Sequence, residues 1–533
     1  MPCRPRSGLV PDPNNDVKKA EDKTLSSGQL SLERLNIKDL TPLRPGYGTG
    51  GQQIKLWANY VEMHPPPTLV LHRYDIKVSE KDPKPRKAKT TESKEPTVPG
   101  RKLVQVIRLL LDSPELAAFK RNIVTDFKST CVSKDRFPKD DQIINIVYRA
   151  EGEDEPRLGA TTYCVRLLYT KTVRAGELVD YLCSTDLAAS CENKAELIQA
   201  FNIFMNHYAK SANDKLTTMG SSRTFPLNPQ SSQLINLWGG LNGIRGFFAS
   251  VRPATSRILV NVNVSHAAFF QPGPLGGLME AYGLASLPRL EKFLKGVRVR
   301  TNHLPEKRNK AGEIVPRIKT ILGLATREDG KTLPEGQRPR VAKYGGGPKE
   351  VEFWLNSPTP SPARPSVSGM EPASPSQAKK RGGKGGKRGG GPAPAASSGG
   401  RYISVYDFFM QSKSFGFCCC CCCCCMLANT SIEDYADKCS NLDPRKPVVN
   451  VGTKDKPTYL PAEVCIVQPG QPAGSLLSPQ QTQQMIKLAV RKPGANASDI
   501  ATLGMEIVGL TDNNTFLVPS YPVDGSAKQT ITC

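Results

Sequence analysis

The stretch that most constrains the fold is KPVVNVGTKDKPTYLPAEVC, at residues 446–465. A β-branched apolar run, Val448 to Val451, leads into a Gly-Thr-Lys-Asp-Lys turn, and a second extended segment runs from Thr458 to Val464. Apolar segments on either side of a glycine-containing polar turn are typical of a β-hairpin. The sequence therefore predicts two short strands joined by a basic turn.

The charge of the whole chain bears on its partner. Its 533 residues include 72 Lys and Arg against 49 Asp and Glu, a formal net charge of +23. Cations that neutralise phosphates release condensed counterions, so this excess favours a polyanionic partner. The alternative is that a basic, disordered segment accounts for the excess.

A chain of this length has room for about three domains.

Targeting signals and cysteines indicate the compartment. Residues 1–40 are polar, and the longest apolar run, Phe415 to Leu427, is shorter than the ~18 residues that cross a bilayer. Eight of the sixteen cysteines are consecutive, at 418–425, and the others show no CxxC spacing. We expect reduced thiols, no membrane partner and a cytoplasmic location, with the nucleus as an open alternative.

Periodicity predicts a mixture of helices and antiparallel strands, which is an α+β organisation. The expected helices are at 101–113, 193–209, 290–295 and about 485–489, and the expected strands are at 71–78, within 143–174, at 257–264, at 297–299 and at 318–324. An aromatic and glycine-rich loop is expected at 238–248, before the strand Arg257 to Val264.

Four segments together resemble the N-terminal half of eukaryotic Argonaute proteins. LRPGYGTGGQQIKLWANY (43–60) and LHRYDIKV (71–78) are similar to the opening of the N domain, and TFPLNPQSSQLINLWGGLNGIRGFFASVRPATSRILVNVNVSHAAFF (224–270) looks like the first linker. Residues 446–465 closely resemble the end of the PAZ domain, and LLSPQQTQQMIKLAVRKPGANASDI (476–500) resembles the second linker.

The resemblance implies an α+β multidomain fold: a β-rich N domain with packed helices, then a linker and a small OB-like β-barrel PAZ domain with disordered insertions. The implied boundaries are 1–40 disordered, 41–222 N domain, 223–275 first linker, 276–466 PAZ domain, 467–518 second linker and 519–533 an unassigned tail.

In the PAZ family, a pocket holds the last nucleotide of a guide RNA through cations, hydroxyls and a stacking ring. The residues carried over by position are His303, Arg317, Lys319, Phe353, Phe408, Lys413, Lys456, Tyr459 and Leu460. Phe353 matches the stacking ring. Phe408 and Lys413 stand where the family has tyrosine hydroxyls, which predicts poorer phosphate contacts. The plain alternatives are that His303 is a surface histidine and that Phe353 belongs to the core.

Two insertions interrupt the PAZ segment. Residues 357–401 are rich in Pro, Ser and Gly, which predicts either a disordered arm that holds RNA nonspecifically or a solvated linker; the cations of this arm are Lys379, Lys380, Arg381, Lys384, Lys387 and Arg388. Residues 414–440 contain the cysteine run. Adjacent cysteines cannot all converge on one tetrahedral metal, and no membrane segment flanks them for lipidation, so translated low-complexity sequence is the preferred interpretation.

These features predict an RNA-silencing protein that binds the 3′ end of a small single-stranded RNA or of an RNA duplex with a 3′ overhang, and possible partners include other silencing proteins. We expect no cofactor, no metal and no slicer activity, because the sequence ends before the MID and PIWI domains of the family. The alternative is a structural or regulatory fragment that binds silencing proteins without recognising RNA ends. A Dicer-type enzyme is disfavoured by the absence of helicase and RNase III acidic motifs.

Overall fold

The computed structural model divides into two compact units, each of which is discontinuous in sequence. The first comprises Met1–Ala285, Glu306–Ile318 and Ile466–Cys533, and the second comprises Ser286–Pro305 and Lys319–Cys465. The structure describes residues 19, 23, 59–81, 98, 100–184, 190–254, 256–304, 306–356, 400–411, 442–510, 518–520 and 530–532. The segments predicted to be disordered at 1–40 and in the two PAZ insertions lie almost entirely outside these residues.

Runs of consecutive strands are separated by one or more helices along the chain. The strands are β1 (Tyr60–His64), β2 (Val70–Glu80), β3 (Ile123–Thr125), β4 (Thr130–Ser133), β5 (Asp141–Val147), β6 (Thr162–Arg174), β7 (Leu216–Met219), β8 (Arg223–Pro226), β9 (Leu234–Trp238), β10 (Leu241–Ala254), β11 (Arg257–Phe270), β12 (Gly273–Pro274), β13 (Arg298–Thr301), β14 (Lys307–Arg308), β15 (Ile314–Val315), β16 (Ile318–Thr320), β17 (Gly323–Leu324), β18 (Arg340–Val341), β19 (Val351–Asn356), β20 (Gly400–Ser404), β21 (Val449–Asn450), β22 (Tyr459–Leu460), β23 (Cys465–Val467), β24 (Val518–Ser520) and β25 (Thr530–Thr532). The helices are α1 (Gly100–Leu111), α2 (Ala175–Cys183), α3 (Lys194–Ser211), α4 (Leu275–Tyr282), α5 (Leu287–Leu294), α6 (Val405–Gln411), α7 (Pro479–Ala489), α8 (Pro493–Asp499) and α9 (Met505–Ile507).

The first unit contains two large sheets, in addition to the two-stranded pair of β14 and β15. The smaller has the strand order β3-β4-β2-β6-β5, and α1 buries Val106, Ile107 and Leu110 in the same core as Tyr74 and Val165. Apolar residues at these positions of a helix lie on one stripe, and the predicted amphipathic helix is confirmed. The larger sheet has the order β24-β25-β1-β11-β10-β8-β7, with β9 also paired to β10. The predicted second helix is confirmed as α3, which packs in the core of this sheet.

The loop predicted at 238–248 is wrong in extent. The turn is confined to residues around Gly239 and Gly240, which both have positive φ, and Leu241 begins a strand of 14 residues that pairs with β11 throughout. The glycines misled the prediction because they suggested a loop. Gly246 instead permits a close approach, since a Cβ there would lie 2.2 Å from the carbonyl oxygen of Thr224.

The second unit is built from short strands. The predicted basic hairpin is confirmed: β21 and β22 pair antiparallel, with Val449 opposite Leu460, and β17 completes a three-stranded sheet. A second three-stranded sheet has the order β18-β19-β20, and α6 follows β20 directly. Within the residues described, these sheets do not close into the expected barrel. None of the described helices is long and apolar enough to cross a membrane.

Stability of the first unit is expected to fall as the pH is lowered, because of His207 on α3. The backbone N–H of Thr125 donates to its Nδ1 at 3.1 Å, and burial lowers the pKa of His207 to about 4. In the unfolded chain the imidazole of His207 is protonated near pH 6.5, whereas in the folded chain it is protonated only near pH 4. The contribution of this histidine to the free energy of unfolding is therefore complete above pH 6.5 and is lost as the pH falls towards 4. The shift corresponds to about 3 kcal/mol.

This prediction is checked by the free energy of unfolding in urea across that pH range, in the natural chain and in His207→Gln. The difference between the two chains isolates the histidine from the carboxylates that titrate in the same range. The variant should show a shallower loss of stability with falling pH. Parallel pH profiles would contradict the assignment.

Candidate nucleic-acid interface

Four aromatic side chains of the second unit form a continuous series. His303 follows β13 by two residues, Phe408 and Phe409 lie on α6, and Phe353 lies on β19. The ring centroids are 5.3 Å apart for His303 and Phe409, 5.4 Å for Phe409 and Phe408, and 5.2 Å for Phe408 and Phe353, each pair edge to face. These separations and angles are favourable for aromatic pairs. Three of the residues predicted to form the RNA pocket are therefore brought together.

The members of this ring series differ in exposure. Phe409 is buried and supports the others, whereas His303, Phe408 and Phe353 are half-buried. Phe353 pairs with the buried Ile403 across the two strands, and directly paired residues share a face, so its ring points to the inner side of this small sheet. Half-buried rings held by a buried one make a rigid apolar surface, which suits stacking of a base.

Tyr459 and Leu460, which were predicted to belong to the RNA pocket, are both buried and support the surrounding structure. The Tyr459 hydroxyl donates to Oδ2 of Asp329 at 2.9 Å, and Nδ2 of Asn450 donates to the same oxygen at 3.3 Å. Thr326 donates its hydroxyl to Oδ1 at 2.9 Å. Burial, together with the neighbouring carboxylate, raises the pKa of Tyr459. The tyrosine therefore serves to fix the hairpin beneath the basic turn.

Asp329 was not found from the sequence. The available signal was indirect: Asn450 and Tyr459 are the polar members of two short strands whose other residues, Val449 and Leu460, are apolar. Buried polar groups need partners. The partner lies more than a hundred residues earlier, in a Thr-Arg-Glu-Asp turn that looks like ordinary surface sequence.

The cationic candidates belong partly to the first unit, partly to the second and partly to residues outside those described. Lys456 is exposed on the turn between β21 and β22, and Lys319 is also exposed. Arg317 is half-buried and belongs to the first unit, while Lys319 belongs to the second. Lys413 and the six cations of the basic arm lie outside the described residues. Their roles in RNA binding stay predictions. Across the described part of the chain, no group of three or more His, Cys, Asp or Glu residues is arranged to hold a metal ion.

Comparison with known families supports the resemblance in the N-terminal half. Residues 52–205 match the family described as the N-terminal domain of argonaute, and residues 220–271 match the Argonaute linker 1 domain. These two matches support a relationship to the Argonaute family. Both matched segments end before residue 276, so the PAZ interpretation of 276–466 stays a prediction.

Individual relatives are distant. The Schizosaccharomyces pombe protein argonaute is 22% identical over 322 residues, covering 57% of this chain and 34% of its own length. The chain thus spans about a third of that relative. Among solved structures, Kluyveromyces polysporus Argonaute with a guide RNA has a TM-score of 0.43 at 13% identity, over 88% of this chain and 44% of that one. Drosophila Piwi has a TM-score of 0.29 at 10% identity, over 89% of this chain and 42% of that one.

Proposed function

We propose that this protein acts in RNA silencing and that its second unit, as a PAZ-type module, binds the 3′ end of a small single-stranded or overhanging RNA. The observation that carries the proposal is the ring series of His303, Phe409, Phe408 and Phe353. The matches to the Argonaute N-terminal domain and first linker support it, because they relate the neighbouring part of the same chain to the Argonaute family.

The chemistry follows from what an RNA end offers. A strand terminus has no fixed sequence, so recognition depends on stacking, on the 2′-hydroxyl and on phosphates. Phe353 and Phe408 supply apolar ring surface, and His303 supplies ring nitrogens that bond to a hydroxyl or a phosphate. Phe408 has no hydroxyl, so this pocket depends more on stacking and on cations such as Lys456 than on tyrosine donors.

The role is binding, with no cleavage step. Small RNA is the partner, other silencing proteins are further candidates, and the expected location is cytoplasmic.

Substitution at Phe353 tests the stacking role. We expect Phe353→Leu, which keeps an apolar side chain but loses the ring, to weaken binding of RNA with a free 3′ hydroxyl by about tenfold. Phe353→Tyr keeps the ring and should bind as the natural chain does. The measurement is fluorescence anisotropy of a 5′-labelled RNA, with thermal unfolding of each variant as the folding control. Equal affinities for the leucine and tyrosine variants would show that the ring does not stack on the RNA.

A further inference from the structure

The sheet β18-β19-β20 has a second face, opposite the ring series. Trp354 pairs with Tyr402, and Arg340 pairs with Glu352, which lies two residues before Trp354. Successive residues of a strand point to opposite faces, so these four side chains lie on the face that Phe353 and Ile403 do not occupy. We call Arg340, Trp354 and Tyr402 the outer stack.

The outer stack is held in place by specific contacts. The guanidinium carbon of Arg340 lies 3.7 Å from the centroid of the Tyr402 ring, and the Trp354 and Tyr402 centroids are 5.2 Å apart, edge to face. The Tyr402 hydroxyl donates to the carbonyl oxygens of Gly336 at 3.1 Å and of Arg338 at 2.9 Å. The rings of Trp354 and Tyr402 and the guanidinium of Arg340 are therefore held in position without a bound ligand.

Gly400 makes room for the indole. A Cβ at this position would lie 2.5 Å from Cε2 of Trp354, so the ring packs directly over the strand, and only glycine permits this. The Trp354 ring is consequently packed against the backbone of Gly400 and is half-buried. A large aromatic ring held in this way is a feature of surfaces that stack bases.

Charge indicates what would bind there. Arg340 is 65% exposed, and its nearest acid, Glu352, is 3.9 Å away in a solvent-exposed pair that is worth little. Arg338 beside it is also exposed. An exposed guanidinium stacked on tyrosine next to tryptophan offers both a phosphate contact and a cation–π surface, which suits single-stranded nucleic acid.

The connectivity of the chain also favours a nucleic acid as the ligand of the outer stack. Asn356 pairs with Gly400, so the hairpin brings together the two ends of residues 357–399, a segment that contains six Lys and Arg between 379 and 388. That segment is not part of the site. A polyanion bound to its cations is nevertheless tethered beside the outer stack, which raises its effective concentration there.

From these observations we infer that the outer stack binds bases in the body of a single-stranded RNA, independently of the 3′ end. This goes beyond the proposed end-binding function, because it assigns a separate surface on the opposite face of the same sheet. The two surfaces are distinguished by the chemistry of the RNA end: blocking the 3′ hydroxyl should leave the outer stack unaffected.

The test uses the full chain with Trp57→Phe and Trp238→Phe, which leaves Trp354 as the one tryptophan of the three in the sequence. The probe is a short oligoadenylate with a 3′ phosphate, and the readouts are Trp354 fluorescence and binding affinity. We expect saturable quenching of Trp354 and about tenfold weaker binding in Arg340→Gln. The quenching should persist in His303→Ala, which separates this result from failure of the end pocket.

Two matched variants complete the test. Lys349→Gln removes the same charge and also disrupts a cation–ring contact, since Nζ of Lys349 lies 4.7 Å from the centroid of Tyr406 on α6. Because Tyr406 is not part of the outer stack, this variant loses a cation but keeps the stack, and it should weaken binding less than Arg340→Gln. Gly400→Ala displaces the indole without changing charge and should reduce the quenching.

The inference is overturned if Arg340→Gln and Lys349→Gln weaken binding equally, or if RNA binds without changing Trp354 fluorescence. It is also overturned if deletion of residues 357–399 abolishes the quenching at RNA concentrations that saturate the shortened chain. That result would show that RNA bound to the chain does not contact Trp354.

Discussion

Asp329→Ala is expected to destabilise the second unit by about 3 to 5 kcal/mol, because it leaves several buried donors without an acceptor. The carboxylate accepts from Tyr459 and Asn450 on the hairpin and from Thr326 on its own turn. Each donor left unsatisfied in a buried site costs roughly 1 to 3 kcal/mol. The basic turn that presents Lys456 should lose its support at the same time.

Denaturant unfolding measures this effect, with Trp354 as a fluorescent reporter of the second unit in the single-tryptophan chain. The control is Tyr459→Phe, which removes one donor and keeps the acceptor, and should cost about 1 kcal/mol. A loss for Asp329→Ala no larger than that of the control would show that the hydrogen-bonded cluster does not hold the hairpin.

In the first unit, Asp499→Ala should cost about 3 to 5 kcal/mol, because it leaves a buried arginine without its counter-charge. Arg245 on β10 is only 4% exposed, and its Nη1 lies 3.3 Å from Oδ2 of Asp499 at the end of α8. Arg491 donates to the same oxygen. Burial lowers the pKa of Arg245, and nearby Arg491 acts in the same direction. Removal of the carboxylate would leave two guanidinium groups facing each other.

The matched control is Asp141→Ala, which breaks the exposed ion pair with Arg166 on the neighbouring strand. Solvent screens such pairs, so the midpoint of urea unfolding should barely move. We expect Asp499→Ala to unfold at a clearly lower urea concentration than both the natural chain and Asp141→Ala. Equal midpoints for the two variants would contradict a structural role for the buried bridge.

Local periodicity predicted several of the longer helices and strands. The helix α1 and the hairpin of β21 and β22 could be read from the sequence because their apolar spacing and turn residues are contained within about twenty positions. The glycine-rich strand β10 could not be predicted from the sequence, because Gly246 is required by a close contact with Thr224 on another strand and not by a turn. Its role depends on tertiary structure.

The candidate site was also predicted only in part from the sequence. The residues of the PAZ resemblance could be named by position, and the structure brings His303, Phe408 and Phe353 into one ring series with Phe409. No sequence pattern indicated that Tyr459 bonds a buried aspartate, or that Arg340 stacks on Tyr402. Both contacts depend on pairings between distant segments, and local spacing does not encode such pairings.

Binding through the 3′ end is tested most directly by comparing the affinity of the full chain for one RNA sequence with a free 3′ hydroxyl and with a 3′ phosphate, at near-physiological salt. We expect tighter binding of the free end, and loss of that preference in His303→Ala. Equal affinity for both ends, falling steeply with salt, would contradict it, because binding would then rest on cations that neutralise phosphates anywhere along the strand.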